Sequence, residues 1–269
     1  MLVAVCADKG SPGATTTALL LGSVWPRSAV VVELDPSGGD LGLRCRHHAG
    51  GQLAATPNIL GLAAAARADA TDPQLVARFA QRLASGGLVV PGVLAAEQAS
   101  GMSQLWQRLA AACTVSDVDV VADLGRIHAG AASLPVAAAA EAVVVVATPT
   151  LEGVLHLRER INHLRPALAR HGSGRQPRFL PVVVTSDRHA TNEVAEVAAV
   201  LADTAAPADW VSAVGYIAHD PSALHRLQHG EDPAGRLRRT LLVRTAGHIV
   251  DRIALPAAVD PSDRTGVAS

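Results

Sequence analysis

The sequence has almost no lysine and very few aromatic residues. Lys9 is its one lysine, and the other 22 of its 23 Lys and Arg residues are arginine. Phe, Trp and Tyr together make up 2% of the chain, whereas alanine is abundant. This composition favours closely packed helices over an aromatic binding surface. The formal net charge of −1 provides no overall attraction to nucleic acid or to an anionic membrane.

Cysteines and long apolar runs are also scarce. The three cysteines, Cys6, Cys45 and Cys113, are scattered without the spacing of a metal site, so we expect reduced thiols. The apolar run at residues 2–7 has no basic segment before it and is too short for a signal peptide or a membrane span. The sequence therefore predicts a soluble, cytoplasmic protein.

The most informative stretch is residues 2–21, which read LVAVCADKGSPGATTTALLL. An apolar run predicts a buried strand, a glycine-containing loop follows, and three threonines then open an Ala/Leu-rich helix. The first N–H groups of such a helix have no intrahelical partner and lie at the positive end of its dipole, so they suit a phosphate. Glycines let the loop curve around the anion, and a threonine hydroxyl in the first turn can ligate the accompanying Mg²⁺. The pattern predicts a phosphate-binding loop.

This loop departs from the common P-loop at two positions. Ala14 stands where the Gly-Lys-Ser/Thr ending has its lysine, and Pro12 removes one N–H group. Lys9 comes just before the glycines, and a lysine is a compact point charge whereas an arginine is a wide planar fork. The position of the single lysine favours a role in phosphate binding. The alternative is a solvated lysine in an ordinary strand-to-helix turn.

The segment KGSPGATTTA at residues 9–18 resembles the deviant P-loop of the MinD/ParA superfamily, usually written KGGxGKTT. The resemblance implies that Lys9 is the signature lysine, that Thr15 ligates Mg²⁺, and that ATP contacts the whole loop: Lys9, Gly10, Ser11, Pro12, Gly13, Ala14, Thr15 and Thr16. The small residue Ala14 is similar to the CpaE/TadZ-like branch, whose members position pilus and secretion machinery and often lack the second lysine.

Two later strand-like segments carry carboxylates at their ends. Asp35 follows the run AVVVEL at residues 29–34, and Asp123 lies in DVVADL at residues 119–124. Ligands of α/β folds bind at the carboxyl ends of the strands. The segments resemble the superfamily's switch I and Walker B segments. This implies that both carboxylates contribute to the Mg²⁺ site and that Lys9 and Asp35 are the catalytic residues, with Asp35 orienting the attacking water. A polar turn capped by Asp35 is the alternative.

The base-binding residues are predicted from the same resemblance. Asp187 follows a strand-like run where relatives show an Asn that reads adenine. Asp220 and Pro221 fall in a segment similar to the loop that lines the adenine pocket. The superfamily further implies ATP and Mg²⁺ as cofactors, and an ATP-linked homodimer that presents a surface to a protein partner.

The rest of the chain alternates between strand and helix patterns. Further strands are predicted at residues 87–93, 142–148 and 179–186, and helices at 58–66, 72–84, 102–113, 151–169 and 237–253. We therefore predict an α/β, single-domain P-loop NTPase fold, with a mostly parallel, doubly wound sheet and helices on both faces. Residues 1–255 form this domain. The Pro/Ala/Asp-rich residues 256–269 form a disordered tail with no apolar face for stable membrane anchoring.

Three functions remain open. A lost charge-assisted hydrogen bond at Ala14 costs roughly 1.5–3 kcal/mol, or about 10- to 150-fold in affinity, so we expect ATP binding with weak or absent hydrolysis. The first function is a dimeric positioning or assembly protein for pilus- or secretion-type machinery. The second is a ParA-like DNA-partitioning ATPase with a basic patch at Arg236, Arg238, Arg239 and Arg244. The third is a nucleotide-free pseudo-ATPase scaffold. The sequence identifies neither the partner nor whether the protein is an enzyme.

Overall fold

The computed structural model describes residues 1–9, 13–102, 104–171, 176–202 and 210–254. Eight strands form one sheet: β1 (Leu2–Ala7), β2 (Ala29–Glu33), β3 (Gln81–Arg82), β4 (Leu88–Val90), β5 (Asp119–Arg126), β6 (Ala142–Ala147), β7 (Arg178–Thr185) and β8 (Gly215–Ala218). Their order is β3-β4-β2-β5-β1-β6-β7-β8. Each neighbouring pair is parallel except β3 with β4.

Helices cover both faces of this sheet. They are α1 (Ala14–Ser23), α2 (Leu41–Arg44), α3 (Ile59–Ala68), α4 (Leu75–Arg78), α5 (Ala96–Ser100), α6 (Trp106–Val115), α7 (Leu134–Ala139), α8 (Leu151–His171), α9 (Asp187–Ala202), α10 (Pro221–Gln228) and α11 (Leu241–Ala254), with a 3-10 helix at Arg236–Arg239. Alternate residues of the central strand β1 enter two separate cores, because successive side chains of a strand point to opposite faces. Helices α3, α6, α7 and α8 pack on one core, and α1 and α11 on the other. The predicted doubly wound α/β fold is confirmed.

The sheet places the ends of its central strands side by side. Val5 of β1 lies opposite Asp123 of β5, and Glu33 at the end of β2 also lies opposite Asp123. Because these strands are parallel, the segments that follow β1, β2 and β5 emerge at the same edge. The predicted phosphate loop, Asp35 and Asp123 therefore share one end of the molecule, as expected for a ligand site in such a sheet.

The predicted helix at residues 72–84 is wrong. Only the short helix α4 forms there, and the chain then enters the edge strand β3, where Gln81 pairs with Val89. The buried Gln81 side chain explains the change, because it donates to the carbonyls of Ala54 and Pro57 and accepts from the Ala54 N–H. Helix α9 was not predicted, and the predicted helix at 237–253 is a 3-10 turn followed by α11. The other predicted strands and helices are confirmed with shifted ends.

The predicted domain limit and tail stay predictions, since residues 255–269 lie outside the described part of the chain. In the part that is described, no helix combines the length and the apolar character needed to cross a bilayer. Each of the three cysteines is buried with a free thiol.

Candidate functional site

A cavity of about 570 Å³ opens at the carboxyl edge of the sheet. Its walls come from the start of α1, the ends of several strands and the start of α10. Many of the predicted site residues line it: Gly13, Ala14, Thr15, Thr16, Asp35, Asp220 and Pro221. The cavity also contains residues that were not predicted, including Asp8, Arg44 and Arg126.

The first turn of α1 points free N–H groups into this cavity. Its N-cap is Gly13, whose φ of 124° is readily adopted only by glycine. No side chain of the described residues caps the helix, and its first turn contains no acidic residue. The first N–H groups of α1 are therefore available to an anion at the positive end of the helix dipole. Gly10, Ser11 and Pro12 lie outside the described residues, so their contacts with ATP stay predictions.

Lys9 lies beside the cavity rather than in its wall. Its side chain is exposed, and its backbone N–H donates to Asp8 Oδ1 at 2.6 Å. It is not one of the described residues that line the cavity. The catalytic role of Lys9 therefore stays a prediction.

Asp123 lies just below the cavity floor and is fully buried. Its Oδ1 accepts a hydrogen bond from the Gly125 N–H at 3.0 Å, but its Oδ2 has no hydrogen-bond partner among the described residues. Burial raises the pKa of Asp123 to about 7, although the Thr15 hydroxyl and the Gly125 N–H oppose this increase. An unpaired buried carboxylate oxygen is rare in native proteins and points to a missing ligand. Together with the Thr15 hydroxyl and Asp35 it provides oxygen donors only, the kind that Mg²⁺ prefers, so these residues fit the predicted metal.

Asp35 approaches the same point from β2. Its Oδ1 accepts from the Ser37 N–H at 2.8 Å, so the turn capped by Asp35 is present. The other oxygen packs on Gly125, whose φ is +55°, and a Cβ at that position would come within 1.8 Å of Asp35 Oδ2. Burial raises the pKa of Asp35, and the hydrogen bonds to Ser37 partly counteract this effect. Both the structural and the predicted catalytic role are compatible with this geometry.

Glu33 has a structural function that sequence reasoning missed. Its Oε1 accepts from the N–H groups of Asp40 and Leu41 at 2.8 and 3.0 Å, and its Oε2 accepts from the Gly92 N–H at 2.8 Å. The carboxylate is buried, and burial raises its pKa despite these three bonds. Glu33 thereby attaches the loop that contains Asp35 to the segment that follows β4. A charged residue that ends an apolar strand was the available signal.

An ion pair at the base of the phosphate loop was also missed. Asp8 accepts a hydrogen bond from the Arg160 guanidinium of α8, and His156 Nδ1 lies 4.0 Å from its other oxygen. The Asp8 and Arg160 side chains are only 7% and 14% exposed. The pair joins positions 152 residues apart, so no local pattern could have indicated it. It anchors the start of the phosphate loop to α8.

The predicted base-binding residues separate into two groups. Asp220 is the N-cap of α10 and accepts from the Ala223 N–H at 3.0 Å, and Pro221 is the first residue of that helix. Both line the cavity. Asp187 is not among the described lining residues, and its Oδ1 accepts from the Tyr216 hydroxyl at 2.8 Å. Its contact with a base stays a prediction.

Similarity to known proteins is visible in structure rather than in sequence. No family model matches the chain, and no curated protein matches its sequence. Among solved structures, a ParA family ATPase from Chlorobium tepidum TLS superposes with a TM-score of 0.68 at 15% identity, over 93% of this chain and 96% of that one. The MinD protein of Pyrococcus horikoshii OT3, complexed with Mg-ADP, gives 0.63 at 12% identity over 94% and 95%. An ATP complex of a McdA variant from Cyanothece gives 0.62 at 16% identity over 94% and 96%.

These matches extend over nearly the whole chain, yet their low identities carry information about architecture alone. The chain therefore has the single-domain α/β P-loop fold seen in ParA- and MinD-type ATPases.

Proposed function

We propose that the protein binds ATP with Mg²⁺ and uses the bound state to dimerise and to position or assemble a partner machinery of the pilus or secretion type, with weak or absent hydrolysis. The observation that carries the proposal is the unpaired Asp123 oxygen beside Thr15, beneath an uncapped helix start. Structures of this fold with ATP and with Mg-ADP support the choice of ligand.

The proposal gives separate roles to the start of α1, to the metal-binding residues, to Asp35 and to Pro221. The N–H groups at the start of α1 would bind the terminal phosphates, and Thr15 and Asp123 would hold the metal. When bound, Mg²⁺ would neutralise charge on the phosphate oxygens. Asp35 orients a water molecule towards the terminal phosphate. The adenine would lie near Pro221 at the start of α10.

Slow hydrolysis follows from Ala14. A lysine at this position stabilises the charge that develops on the transferring phosphoryl group, and such preorganised charge contributes more to the transition state than to binding. An alanine methyl group supplies none of this. We therefore expect a site that is more useful as a nucleotide-dependent switch for assembly than as an efficient ATPase.

Exposed residues that do not line the cavity are available for dimerisation and partner binding in this proposal. Lys9 is exposed, and the resemblance implies that this lysine reaches the nucleotide of a second copy. Leu94, in the loop after β4, is 70% exposed, and Leu151, at the start of α8, is 74% exposed. The pilus or secretion assignment rests on the resemblance at Ala14.

Calorimetric titration with Mg-ATP tests the proposal. The wild type should bind in the micromolar to submillimolar range, and Lys9→Ala should bind more weakly. Lys9→Arg is the matched control, because it keeps the charge but changes its shape. Hydrolysis should be near background and rise in Ala14→Lys. No heat of binding at millimolar ATP would contradict the proposal and favour the nucleotide-free scaffold.

A DNA-partitioning ATPase is the second candidate, favoured by one observation. Arg236, Arg238, Arg239 and Arg244 are all exposed between the 3-10 helix and the first turns of α11. Such a patch would bind phosphates, and its affinity for DNA would fall steeply with salt. Retention of the protein on duplex DNA at low salt, lost in a variant with all four arginines changed to alanine, would support this candidate. No retention at low salt would exclude it.

A further inference from the structure

The cavity wall contains two arginines at a site that lacks its usual cation. The common P-loop has a lysine that reaches the terminal phosphates, and Ala14 occupies that position here. Arg44 and Arg126 are the two arginines among the described residues that line the cavity, where His219 is also found. We infer that Arg126 supplies the phosphate-binding charge that Ala14 cannot provide. This inference rests on the proposed nucleotide site.

The backbone places Arg126 next to the phosphate loop. Arg126 is the last residue of β5 and lies opposite Ala7, the last residue of β1, in the sheet register. The Ile127 N–H donates to the Ala7 carbonyl at 3.1 Å and fixes this end of β5 to β1. The phosphate loop leaves β1 at that same point. One strand thus carries Asp123 for the metal and, three residues later, a cation at the cavity wall.

A turn at Gly125 lies between Asp123 and Arg126, and the two side chains have different environments. Gly125 has a φ of +55°, in the left-handed region that favours glycine. Before it, Asp123 is fully buried beneath the cavity. After it, Arg126 is exposed and lines the cavity. The chain therefore moves within three residues from the buried carboxylate to an accessible guanidinium group.

The other arginines near the cavity already have partners. Arg44 is paired with Asp40 one helical turn before it, and Arg160 is paired with Asp8. Within the described part of the chain, the Arg126 side chain has neither a hydrogen bond nor an ion pair. An unpaired guanidinium at the wall of a cavity can form two parallel hydrogen bonds to phosphate oxygens. The ligand class is a nucleoside di- or triphosphate.

Asp35 is the carboxylate of the cavity wall that packs on Gly125, the residue before Arg126. Its Oδ1 already accepts from Ser37, and Asp8 is neutralised by Arg160. The strongest anion that Arg126 could meet in the cavity is therefore a phosphate. The competing explanation is an arginine that is solvated at a strand end and contacts nothing.

The experiment compares nucleotide affinities of the wild type, Arg126→Ala and Arg44→Ala by calorimetry with Mg-ATP, Mg-ADP and adenosine. Arg126→Ala should weaken Mg-ATP binding about 10- to 100-fold, the range for a charge-assisted hydrogen bond, and leave adenosine binding unchanged. Arg44→Ala is the comparison within the same cavity wall, and its effect should be smaller than that of Arg126→Ala because Arg44 already pairs with Asp40. Arg126→Lys should be intermediate, since it keeps the charge but loses the planar fork.

A second variant tests whether Arg126 replaces the missing lysine. In the Arg126→Ala background, Ala14→Lys should restore most of the lost Mg-ATP affinity. Thermal unfolding without nucleotide serves as the folding control, and Arg126→Gln takes the place of the alanine variant if that variant is unfolded. Wild-type affinity in Arg126→Ala, or an equal loss for ATP and adenosine, would overturn the inference alone. Absence of Mg-ATP binding by the wild type would overturn it together with the proposed function.

Discussion

Removing the Arg160 side chain would leave the Asp8 carboxylate buried without its ion-pair partner. Among the described residues, Asp8 would keep only the N–H of Lys9 at 2.6 Å and the imidazole of His156 at 4.0 Å. Breaking a buried pair by deleting one partner typically costs about 3–5 kcal/mol, because an uncompensated charge remains in a region of low dielectric constant. We expect a loss of free energy of unfolding at the lower end of that range, about 3 kcal/mol, in Arg160→Ala.

Urea denaturation and thermal unfolding, both followed by circular dichroism at neutral pH, would measure this loss. For a chain of this size each kcal/mol lowers the melting temperature by roughly 2–4 °C, so the expected decrease is about 6–12 °C. Arg158→Ala is the matched control, because Arg158 lies on the same helix and pairs at 4.0 Å with Glu159, which is 53% exposed. Exposed pairs contribute about 0–1 kcal/mol, so the control should change little.

If the loss of stability in Arg160→Ala arises from an unpaired buried charge, removing the charge of Asp8 should reduce that loss. Adding Asp8→Asn to Arg160→Ala should recover part of the lost stability, since a neutral amide is less costly to bury than an unpaired carboxylate. Equal stability of Arg160→Ala and Arg158→Ala would refute the reasoning. It would show that water or backbone movement solvates Asp8 as well as the guanidinium does.

Two further predictions concern positions away from that pair. Burial raises the pKa of Asp119. Hydrogen bonds from the N-terminal amine of Met1 and from the Trp25 indole N–H, together with the nearby Arg27 guanidinium, bring that pKa below its usual value. The stabilisation is therefore present above about pH 4 and is lost as pH falls through the lowered pKa. Asp119→Asn should lower the free energy of unfolding by about 1–3 kcal/mol at neutral pH and by less in acid. Urea unfolding at several pH values would measure this difference. Equal costs at both pH values would contradict this. Gly125→Ala should displace Asp35, since the new Cβ would clash with its carboxylate, and should reduce Mg-ATP affinity in calorimetry more than Gly130→Ala, whose site has no contact closer than 3.5 Å.

Much of the fold could be predicted because its strands are buried on both faces. Continuous β-branched runs such as residues 29–34 and 142–148 have few alternatives to a parallel strand, and both form strands. Helix α9 had an available signal that was missed, since Ala190, Val197 and Leu201 are buried at helical spacing. The predicted helix at residues 72–84 failed for a different reason. There a tertiary contact, the burial of Gln81 against the loop at residues 54–57, overrides local propensity.

The candidate site also combines features that neighbouring residues predict with features that depend on distant residues. The glycine at residue 13 and the threonines after it indicate a helix start from neighbouring residues alone, and that local pattern is confirmed. The Arg160 partner of Asp8 lies 152 residues away and the Gly92 partner of Glu33 lies 59 residues away, so only the folded sheet brings these pairs together. The exposed position of Arg126 likewise depends on a turn at Gly125 whose backbone angle the sequence does not show.

No described residue of β4 lines the cavity. The three hydrogen bonds of Glu33 nevertheless connect the end of β4 to the loop that contains Asp35, which does line it. Gly39 and Gly92 both lie against this carboxylate, where a Cβ would come within 2.2 and 3.1 Å of it. A larger residue at either position would move Glu33 and, through it, the loop that carries Asp35. In a random mutagenesis screen for loss of nucleotide binding, substitutions at these two glycines would therefore be recovered alongside those of the cavity wall, and a search confined to ligand contacts would overlook them.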